Sequence, residues 1–484
     1  SIGHALEGKA AGLYVRQNSA QPGGGLDILV RGAGSINANN DPLYIVDGFP
    51  IAKLDQIASS DRKMDPGTQG VLNFLNPNDV ESIEVLKDAS ATSIYGARAA
   101  NGVVIINTKR GKEGEFNVNL DAYFGVQKAA KQLRMLNAQQ FGDMLWQAMK
   151  NDGKTPSHDV YGNGDQAVVP EYLDSNHLIP SDDVDWVDEI LRAAVVQSYN
   201  LSFTKADKKS NQLFSLGYYD QQGLVKFSDF KRVSGRFNSE YKLFDDHLRI
   251  GENISLSHSW GTSVSNNAAL GGTLYEAYKF QSITPVKNLE DEYAGNVFSD
   301  IPNPMGKLYR NKDNQDKKSR LVGNLYAELH LFDGLMFKTS FGVDYNNLYR
   351  RSFSPKYDEL NASEKLSSLS NRNAWNFNWV FTNTLTYNKT FGDHTINALL
   401  GMESLRNRYE YFTASRDGFP SDDPNFRFLD AGDVGTQKNS GAATEYSMVS
   451  YFGKLDYNYH DRYLVAFTLR RDGSSRLGNN KWGN

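Results

Sequence analysis

The sequence predicts a membrane β-barrel with a compact N-terminal α/β unit inside its lumen. Three observations support this fold class. Residues 79–111 have the pattern of a strand, a helix of small residues and a second strand. From Phe116 onward, apolar and polar residues alternate along one segment after another, which is the period of a two-faced strand. The connections between these segments are alternately long and very short, as in outer-membrane barrels.

The composition is compatible with a barrel and excludes several other classes. The 484 residues are 12% aromatic, carry a formal net charge of −5 and include no cysteine. No apolar run is long enough for a transmembrane helix, and the mean hydropathy is −0.54. Barrel strands turn only every second residue to lipid, so a barrel keeps its hydropathy low. Without a basic stripe we expect no nucleic-acid partner, and without cysteine no disulfide framework or thiol nucleophile.

The N-terminal α/β unit has small residues at its centre. Its predicted strands are Ser82–Leu86 and Gly102–Lys109, and the helix between them spans Ala89–Ala100. The alanines of this helix give it a narrow profile that suits a confined lumen. Gly32 and Gly34 allow tight backbone turns beside the barrel wall.

The strand pattern is clearest in Phe116–Gln127, where every second residue from Phe116 to Val126 is apolar. At ~3.3 Å per residue and ~45° tilt, about eleven residues cross the apolar core of a bilayer. Similar segments follow at roughly 197–206, 211–220, 231–243, 247–258, 320–331, 335–345, 374–388, 394–403, 447–459 and 462–471. Single-chain bacterial barrels have an even number of strands, so about eleven strands cannot close one. We therefore expect a truncated chain that holds half of a barrel of about 22 strands, the number in large plugged barrels.

The connections distinguish the two ends of the predicted barrel. Four short turns carry an aromatic residue where the strand ends, which indicates a girdle at one membrane interface. These residues are Phe244, Phe332, Phe391 and Tyr459. Long loops are predicted at 128–196, 259–319, 346–373 and 404–446. A soluble all-β protein with hairpins is the alternative, although its strands are usually shorter.

Two N-terminal segments, 26–50 and 75–111, resemble the plug of TonB-dependent outer-membrane transporters. More narrowly, they are similar to the SusC/RagA-like group of Bacteroidetes. The motifs that carry the resemblance are VRG (Val30–Gly32), PLYIVDG (Pro42–Gly48), Asn76–Gly96 and Ala100–Gly111. The plug-motif residues are Arg31, Gly32, Asp47, Gly48, Glu81, Glu84, Lys87, Tyr95, Gly96, Arg98, Asn101 and Gly102. No TonB-box segment precedes these motifs in this chain.

The resemblance implies a plug domain over residues 1–115 and the N-terminal half of a barrel, with long extracellular loops, over 116–484. It implies TonB-dependent import of oligosaccharides across the outer membrane of a bacterial cell, without enzymatic activity. The expected partners are a SusD-like surface lipoprotein that acts as a lid, TonB, the oligosaccharide and outer-membrane lipid. A dimer of importer–lid pairs is also expected. Import of peptides by the same mechanism is the alternative, and a passive porin or an adhesin is a more distant one.

The resemblance places the substrate between the outward loops of the plug and the long loops of the barrel. The candidate contacts in the plug are Asn37, Asn39, Asn40, Asp55, Arg62, Lys63 and Asp65. The candidate aromatic contacts are Trp260, Tyr275 and Tyr309. For each of these aromatics, ordinary loop packing is an equally open interpretation.

Charges in the plug segments are predicted to pair with inward-facing charges of the barrel. The plug charges are Arg31, Glu81, Glu84, Lys87 and Arg98, and the candidate barrel partners are Arg236, Glu240, Glu252 and Glu328. Such pairs would be hydrated and releasable, as a movable plug requires. Plain solvated charge is the alternative.

No catalytic group, metal site or cofactor site is predicted. The glycine-rich run Gly32–Asn40 has Asn37 where a phosphate-binding loop has its third glycine. The eight histidines are scattered, and no pair has the spacing of a metal site on a helix. The acidic cluster around Asp182–Glu189 is compatible with cation binding, but a solvated loop face is the favoured interpretation.

Overall fold

The computed structural model describes residues 13–17, 20–32, 40–51, 71–88, 92–111, 114, 116–265, 271–478 and 482–483. The described residues from 13 to 111 are called the plug unit below. Its strands are Leu13–Gln17 (β1), Leu26–Val30 (β2), Leu43–Val46 (β3), Phe49–Pro50 (β4), Val80–Leu86 (β5) and Val103–Thr108 (β6). The predicted mixed sheet is confirmed, with strand order β4-β3-β6-β5 and a parallel pairing of β3 with β6.

The predicted helix of the plug unit is wrong in type. Residues 89–91 lie outside the described residues, and Ser93–Ala99 forms a 3-10 helix instead of a continuous α-helix. Gly96 interrupts it with a φ of 67°, a conformation that residues with a Cβ rarely adopt. A Cβ on Gly96 would lie 2.5 Å from Nε of Arg470, so the bend also lets the chain approach that side chain closely. A second 3-10 helix, Pro77–Asp79, is capped by Asn76, whose side chain accepts from the Asn78 amide.

Eleven long strands form one antiparallel sheet in chain order, with short turns and long connections alternating as predicted. They are Asn117–Gln127 (β7), Ala194–Ala206 (β8), Ser210–Gln222 (β9), Asp229–Leu243 (β10), Leu248–Gly261 (β11), Gln315–Phe332 (β12), Leu335–Ser354 (β13), Ser368–Phe391 (β16), His394–Asp417 (β17), Lys438–Tyr459 (β18) and Tyr463–Ser474 (β19). A two-residue strand, Trp482–Gly483 (β20), pairs with β19.

The long connections contain the remaining elements. Four α-helices lie there: Ala138–Asn151 (α1), Trp186–Ile190 (α2), Thr273–Lys279 (α3) and Pro304–Asn311 (α4). A short hairpin joins Tyr357–Glu359 (β14) to Ala362–Glu364 (β15). Three 3-10 helices follow at Pro424–Phe426, Leu429–Ala431 and Val434–Thr436.

Two of the predicted long loops are largely strand. β13 continues to Ser354 and β16 begins at Ser368, inside the predicted loop 346–373. β17 continues to Asp417 and β18 begins at Lys438, inside the predicted loop 404–446. The apolar alternation used for prediction stops earlier because these ends carry polar side chains on both faces. Backbone pairing does not require apolar side chains, so the ladder continues.

The large sheet is polar on its buried face and apolar on its exposed face. On β16, Asn376 and Asn378 are buried, whereas Phe377 and Phe381 between and beyond them are exposed. Across the neighbouring strand pairing, Phe341 lies opposite Phe381 and is exposed as well. In a soluble protein the apolar face of a sheet is buried and the polar face is exposed. The reverse distribution seen here is typical of a barrel wall that faces lipid. The four predicted girdle aromatics are all exposed at the short-turn end.

One plug unit contacts strands along most of the large sheet. Its apolar core, which includes Phe49 and Ile106, is continuous with Val322 on β12, Val380 on β16 and Leu405 on β17. Further contacts extend to β8 through Asn200 and to β19 through Arg470. Flat strands ~4.8 Å apart would separate β8 from β19 by roughly 40 Å. The four-stranded plug sheet is much narrower, so the large sheet must curve around it.

Within the described part of the chain, no helix has the length and apolar character needed to cross a membrane.

The contact between Gly342 and Phe49 gives a test of the plug position. A Cβ on Gly342 would lie 2.3 Å from a ring carbon of Phe49, too close for any real contact. We expect Gly342→Ala to lower the free energy of unfolding by about 1–3 kcal/mol because of overpacking. Chemical denaturation of the detergent-purified protein measures this change.

Gly235→Ala is the matched control, because its nearest neighbour is 3.7 Å away on the other face of the wall. The double variant with Phe49→Leu is expected to recover part of the loss, since the ring carbon that clashes is then absent. Equal effects of Gly342→Ala and Gly235→Ala would contradict the position of the plug.

Candidate functional site: the plug interface and the outer cavity

Arg98 is the plug-motif residue with the clearest contact to the wall. Its Nη2 donates to Oε1 of Glu403 on β17, and both side chains are largely buried. Arg470 on β19 approaches the same carboxylate at 3.4 Å, bonds Asp472 at 2.8 Å and donates to the Ile94 carbonyl. Two guanidinium groups and two carboxylates thus link the plug unit to two barrel strands.

A second ionic contact joins Asp47 to Arg236 on β10, and both side chains are at most 5% exposed. Asp47 also accepts from the backbone amide and the hydroxyl of Thr108, at 2.9 and 2.8 Å. Its φ of 46° lies in the left-handed region, in the turn between β3 and β4. The strained turn therefore holds the carboxylate toward the wall.

A third contact lies where the plug unit leaves its last strand. Nη1 of Arg110 donates to Glu240 at 3.1 Å and to the Tyr326 hydroxyl at 3.3 Å. The Tyr326 hydroxyl donates to the same Glu240 carboxylate at 2.6 Å. Glu240 and Arg236 are two of the predicted barrel residues and do pair with the plug unit, but their plug partners, Arg110 and Asp47, are not the predicted charges.

Neutral amides and hydroxyls make up much of the remaining interface. Asn76 donates to Asn200 at 2.7 Å, and Asn238 on β10 donates to the Thr108 hydroxyl at 3.1 Å. Burial raises the pKa of Asp79, while a hydrogen bond from Ser215 at 2.8 Å and nearby guanidinium groups act in the opposite direction. The plug unit is therefore held by many polar bonds around a modest apolar centre.

Several of the other predicted charges bond residues on their own side of the interface. Arg31 bonds Asp88 within the plug unit at 2.5 Å, and Glu84 accepts from Asn107 at 3.4 Å. Glu252 bonds Ser239 and Glu328 bonds Lys338, all of them barrel residues. Glu81 is exposed and Lys87 is half-buried. Glu252, predicted to face inward, lies instead on the outer face of β11 with Ile250 and Leu256. For the other charges the period gives the side of the strand, but it does not define the residue that faces it across the interface.

The remaining plug-motif residues shape the backbone or pack within the unit. Gly32, Gly48 and Gly102 have φ values of 87°, 81° and 87°, which glycine adopts without strain. Tyr95 packs on the cluster of Leu43, Ile45, Ala99 and Val103, and burial raises its pKa. Asn101 donates to the Asp41 carbonyl at 3.5 Å.

The predicted substrate contacts have different outcomes. Asn37, Asn39, Asp55, Arg62, Lys63 and Asp65 lie outside the described residues, and Asn40 is half-buried just before β3. Tyr275 and Tyr309 are 41% and 45% exposed on α3 and α4, among the long connections. Trp260 shares the outer face of β11 with exposed Ile250 and Leu256, opposite the face that bears buried Asn253. The structure therefore does not bring Trp260 to the lumen.

The predicted acidic cluster has structural partners. Asp185 accepts from two amides at the start of α2, and Asp183 accepts from the Ala138 amide at 2.9 Å. Glu189 bonds Lys226 at 3.0 Å. Among the described residues, no group of His, Asp or Glu is arranged to hold a metal ion.

A cavity of about 520 Å³ opens among the long connections, at the ends of β12 and β13 far from the short turns. α3 and α4 close one side of it, and the segment after β13 closes another. Buried aromatic and aliphatic side chains, including Trp186, Phe280 and Met305, hold α2, α3 and α4 together. The cavity is thus built on packed elements.

The residues that sequence reasoning missed are Glu403, Arg470, Arg110 and those that line this cavity. Glu403 and Arg470 are charges on the polar face of strands, where most inward neighbours are neutral. That combination of strand period and charge was available in the sequence. The cavity, in contrast, joins residues from four segments, and no local pattern connects them.

Comparisons with known proteins agree with this architecture. Residues 1–103 match the model of the TonB-dependent receptor plug domain. TonB-dependent receptor SusC of Bacteroides thetaiotaomicron is 30% identical over 99% of this chain and 46% of its own length. TonB-dependent receptor P3 of Formosa agariphila is 30% identical over 100% of this chain and 44% of its own length.

The solved structure of the RagAB peptide transporter is similar over the whole chain. Its TM-score is 0.82 at 27% identity, and the match covers 100% of this chain and 54% of the transporter chain. The chain spans about half the length of the curated relatives it matches. With a plug unit enclosed by a curved sheet whose exposed face is apolar, the chain belongs to the SusC/RagA-like TonB-dependent transporters of the bacterial outer membrane and comprises a plug and part of the β-barrel.

Proposed function

We propose that this protein imports oligosaccharides across the outer membrane in a TonB-dependent manner. The main support is the interface between the plug unit and the wall, where ion pairs and hydrogen bonds of amide side chains surround a small apolar centre. Each such bond contributes only about 0.5–1.5 kcal/mol net, because water replaces it when it breaks. A plug held in this way is stable at rest and is released by an applied force. The protein itself performs no covalent chemistry.

We propose residues 1–115 as the plug domain and 116–484 as the barrel part. A SusD-like surface lipoprotein closes over the long connections, and TonB pulls on the plug. The outward plug loops, with Asn37, Asn39, Asn40, Asp55, Arg62, Lys63 and Asp65, together with Tyr275 and Tyr309, contact the cargo. Similarity to the receptor SusC supports this assignment.

Import of peptides is the second candidate. The solved structure with a TM-score of 0.82 is that of a peptide transporter, and its identity to this chain is similar to that of SusC. The mechanism is the same for both cargoes, so they differ only in what the outer surfaces bind.

Uptake measurements separate the two cargoes. Cells with and without the gene are given fluorescent oligosaccharides and fluorescent peptides of matched size. We expect the deletion to abolish oligosaccharide uptake, and collapse of the proton-motive force to do the same in the parent strain. Unchanged oligosaccharide uptake in the deletion strain would refute the proposal, and loss of peptide uptake alone would establish the second candidate.

Weakening the Arg98–Glu403 pair tests whether the interface restrains the plug. Glu403→Gln removes the carboxylate that Arg98 contacts and leaves Arg470 with Asp472. We expect a loss of about 1–3 kcal/mol of local stability, the cost of an unsatisfied buried group. Hydrogen exchange of residues 92–102 in the purified protein is expected to become faster by roughly tenfold for each 1.4 kcal/mol lost.

Glu445→Gln is the control. It removes the carboxylate of the exposed Arg406–Glu445 pair, in which Arg406 lies on β17, the strand of Glu403, and Glu445 lies on β18. It is expected to leave the exchange of residues 92–102 unchanged. Equal exchange in Glu403→Gln and the parent protein would show that this pair does not hold the plug.

A further inference from the structure

One carboxylate lies on the lipid-facing side of the wall. Glu252 shares the outer face of β11 with exposed Ile250 and Leu256, opposite the inner face that bears buried Asn253. It is four residues from Leu248, where β11 begins at the short-turn end. At ~3.3 Å per residue and ~45° tilt, the carboxylate lies roughly 9 Å above that end, between apolar neighbours. An ionisable side chain in such a place is costly unless it is paired, and it commonly belongs to a functional site.

The protein supplies this carboxylate with a neutral partner. The hydroxyl of Ser239, directly opposite on β10, donates to Oε1 of Glu252. One hydroxyl does not neutralise a carboxylate, and it uses only one of about four acceptor positions. Because Glu252 is half-buried, the remaining positions are open toward the membrane.

Strand pairing extends these two residues into a polar row on the outer face. Ser239 pairs with Gln212 on β9, and Gln212 pairs with Lys205 on β8. The row, called the polar row below, consists of Lys205, Gln212, Ser239 and Glu252. Lys205 is exposed and lies one residue from the end of β8, so its ammonium group is at the membrane surface. Neither Lys205 nor Glu252 forms an ion pair with any residue that the structure describes.

The adjacent row, two residues closer to the middle of the wall, is apolar. It consists of Phe203, Phe214, Phe237 and Ile254, one from each of the same four strands. The ring centroids of Phe203 and Phe214 are 6.3 Å apart. The polar row thus starts at the membrane surface on β8 and enters the apolar band at β11, beneath side chains that suit acyl chains.

The charges of the polar row are complementary to a phosphoethanolamine headgroup. The ammonium of Lys205 matches the phosphate, and the exposed Tyr241 hydroxyl, which accepts from Gln212 at 3.0 Å, keeps its proton for the same group. The carboxylate of Glu252 matches the primary ammonium, whose N–H groups form charge-assisted hydrogen bonds. Three strand spacings of ~4.8 Å place the α-carbons of Lys205 and Glu252 roughly 14 Å apart. Two side chains with a short zwitterion between them span such a distance.

A second copy of this chain fits the polar row less well. Two copies in one membrane are related by an axis along the membrane normal, so groups at equal depth meet. Lys205 is one residue and Glu252 four residues from the short-turn end of its strand. The cation of one copy therefore does not face the carboxylate of the other.

We infer that the polar row binds the headgroup of a phosphatidylethanolamine molecule, with Lys205 on the phosphate and Glu252 on the ammonium group. The short turns of such barrels are periplasmic, so the lipid belongs to the inner leaflet of the outer membrane. The site is independent of the cargo, because it lies on the face of the wall that is turned away from the lumen.

Native mass spectrometry of the full-length transporter in detergent tests the inference. The probes are phosphatidylethanolamine, phosphatidylcholine and phosphatidylglycerol with identical acyl chains, each titrated separately. The first two carry the same charges, but only the ethanolamine has N–H groups for Glu252. We therefore expect phosphatidylethanolamine to bind about tenfold more tightly than phosphatidylcholine, as one hydrogen bond between charged groups provides.

Substitutions at both ends of the polar row assign the two contacts. Glu252→Gln is expected to remove the preference for ethanolamine over choline, and Glu252→Asp to retain part of it. Lys205→Gln is expected to weaken all three lipids by a similar factor, because the phosphate is common to them. Glu410→Gln is the matched control on the outer face of β17, where Arg408 already lies 2.8 Å from the carboxylate. It is expected to change no affinity.

Several results would overturn the inference. They are equal affinity for the ethanolamine and choline lipids, a preference that survives in Glu252→Gln, and a preference that Glu410→Gln also removes. A dimer that is lost in Glu252→Gln would assign the polar row to a second copy instead. Thermal unfolding verifies that each variant is folded, and if Glu252→Gln is not, the lipid comparison in the parent protein and in Glu252→Asp decides. Failure of these tests does not affect the proposed import, which the uptake experiment examines.

Discussion

The structure depends on one constraint: the inner face of the wall must be polar enough to solvate a lumen and still hold a folded plug. The chain meets this constraint with asparagine and serine on the inner face, such as Asn238, Asn253 and Asn376, together with a few charges. Asn253 donates to Asn324 at 2.9 Å, and Asn407 donates to Asn376 at the same distance, so neighbouring strands satisfy each other's amides. An amide bonded to its neighbour within the wall does not depend on the plug. Other inner-face side chains, such as Asn238 and Arg236, bond the plug unit instead.

The ionic contacts restrain the plug at separate places. Arg98 contacts β17 near one side of the unit, while Asp47 and Arg110 contact β10 and β12 near the other. Because the three contacts start from three different plug segments, a force applied to one segment breaks one contact first. Sequential breakage requires less force than simultaneous breakage of all contacts. Resistance at rest and release under tension are thus compatible.

The strand period predicted most of the fold. One residue in two must face lipid, so each strand carries its own apolar alternation and can be recognised without knowledge of its neighbours. Phe341, Phe377 and Phe381 all lie on the expected face. Two features were not predictable by the same means. The polar ends of β13, β16 and β17 lack the apolar signal although they are paired, and the 3-10 helix at Ser93–Ala99 depends on how Gly96 fits against Arg470. Contacts such as Arg98 with Glu403 are separated by 305 positions, so no local pattern defines them.

The length of the strands has a mechanical consequence. β16 contains 24 residues, which at ~3.3 Å each and ~45° tilt span roughly 55 Å along the membrane normal, against about 30 Å for the apolar core. Its short-turn end is marked by Phe391, so the excess of roughly 25 Å projects beyond the opposite surface as a stiff collar. The outer cavity is attached to this collar by β13 and does not include the plug unit. The cavity at the rim is therefore separated in space from the plug unit that fills the lumen.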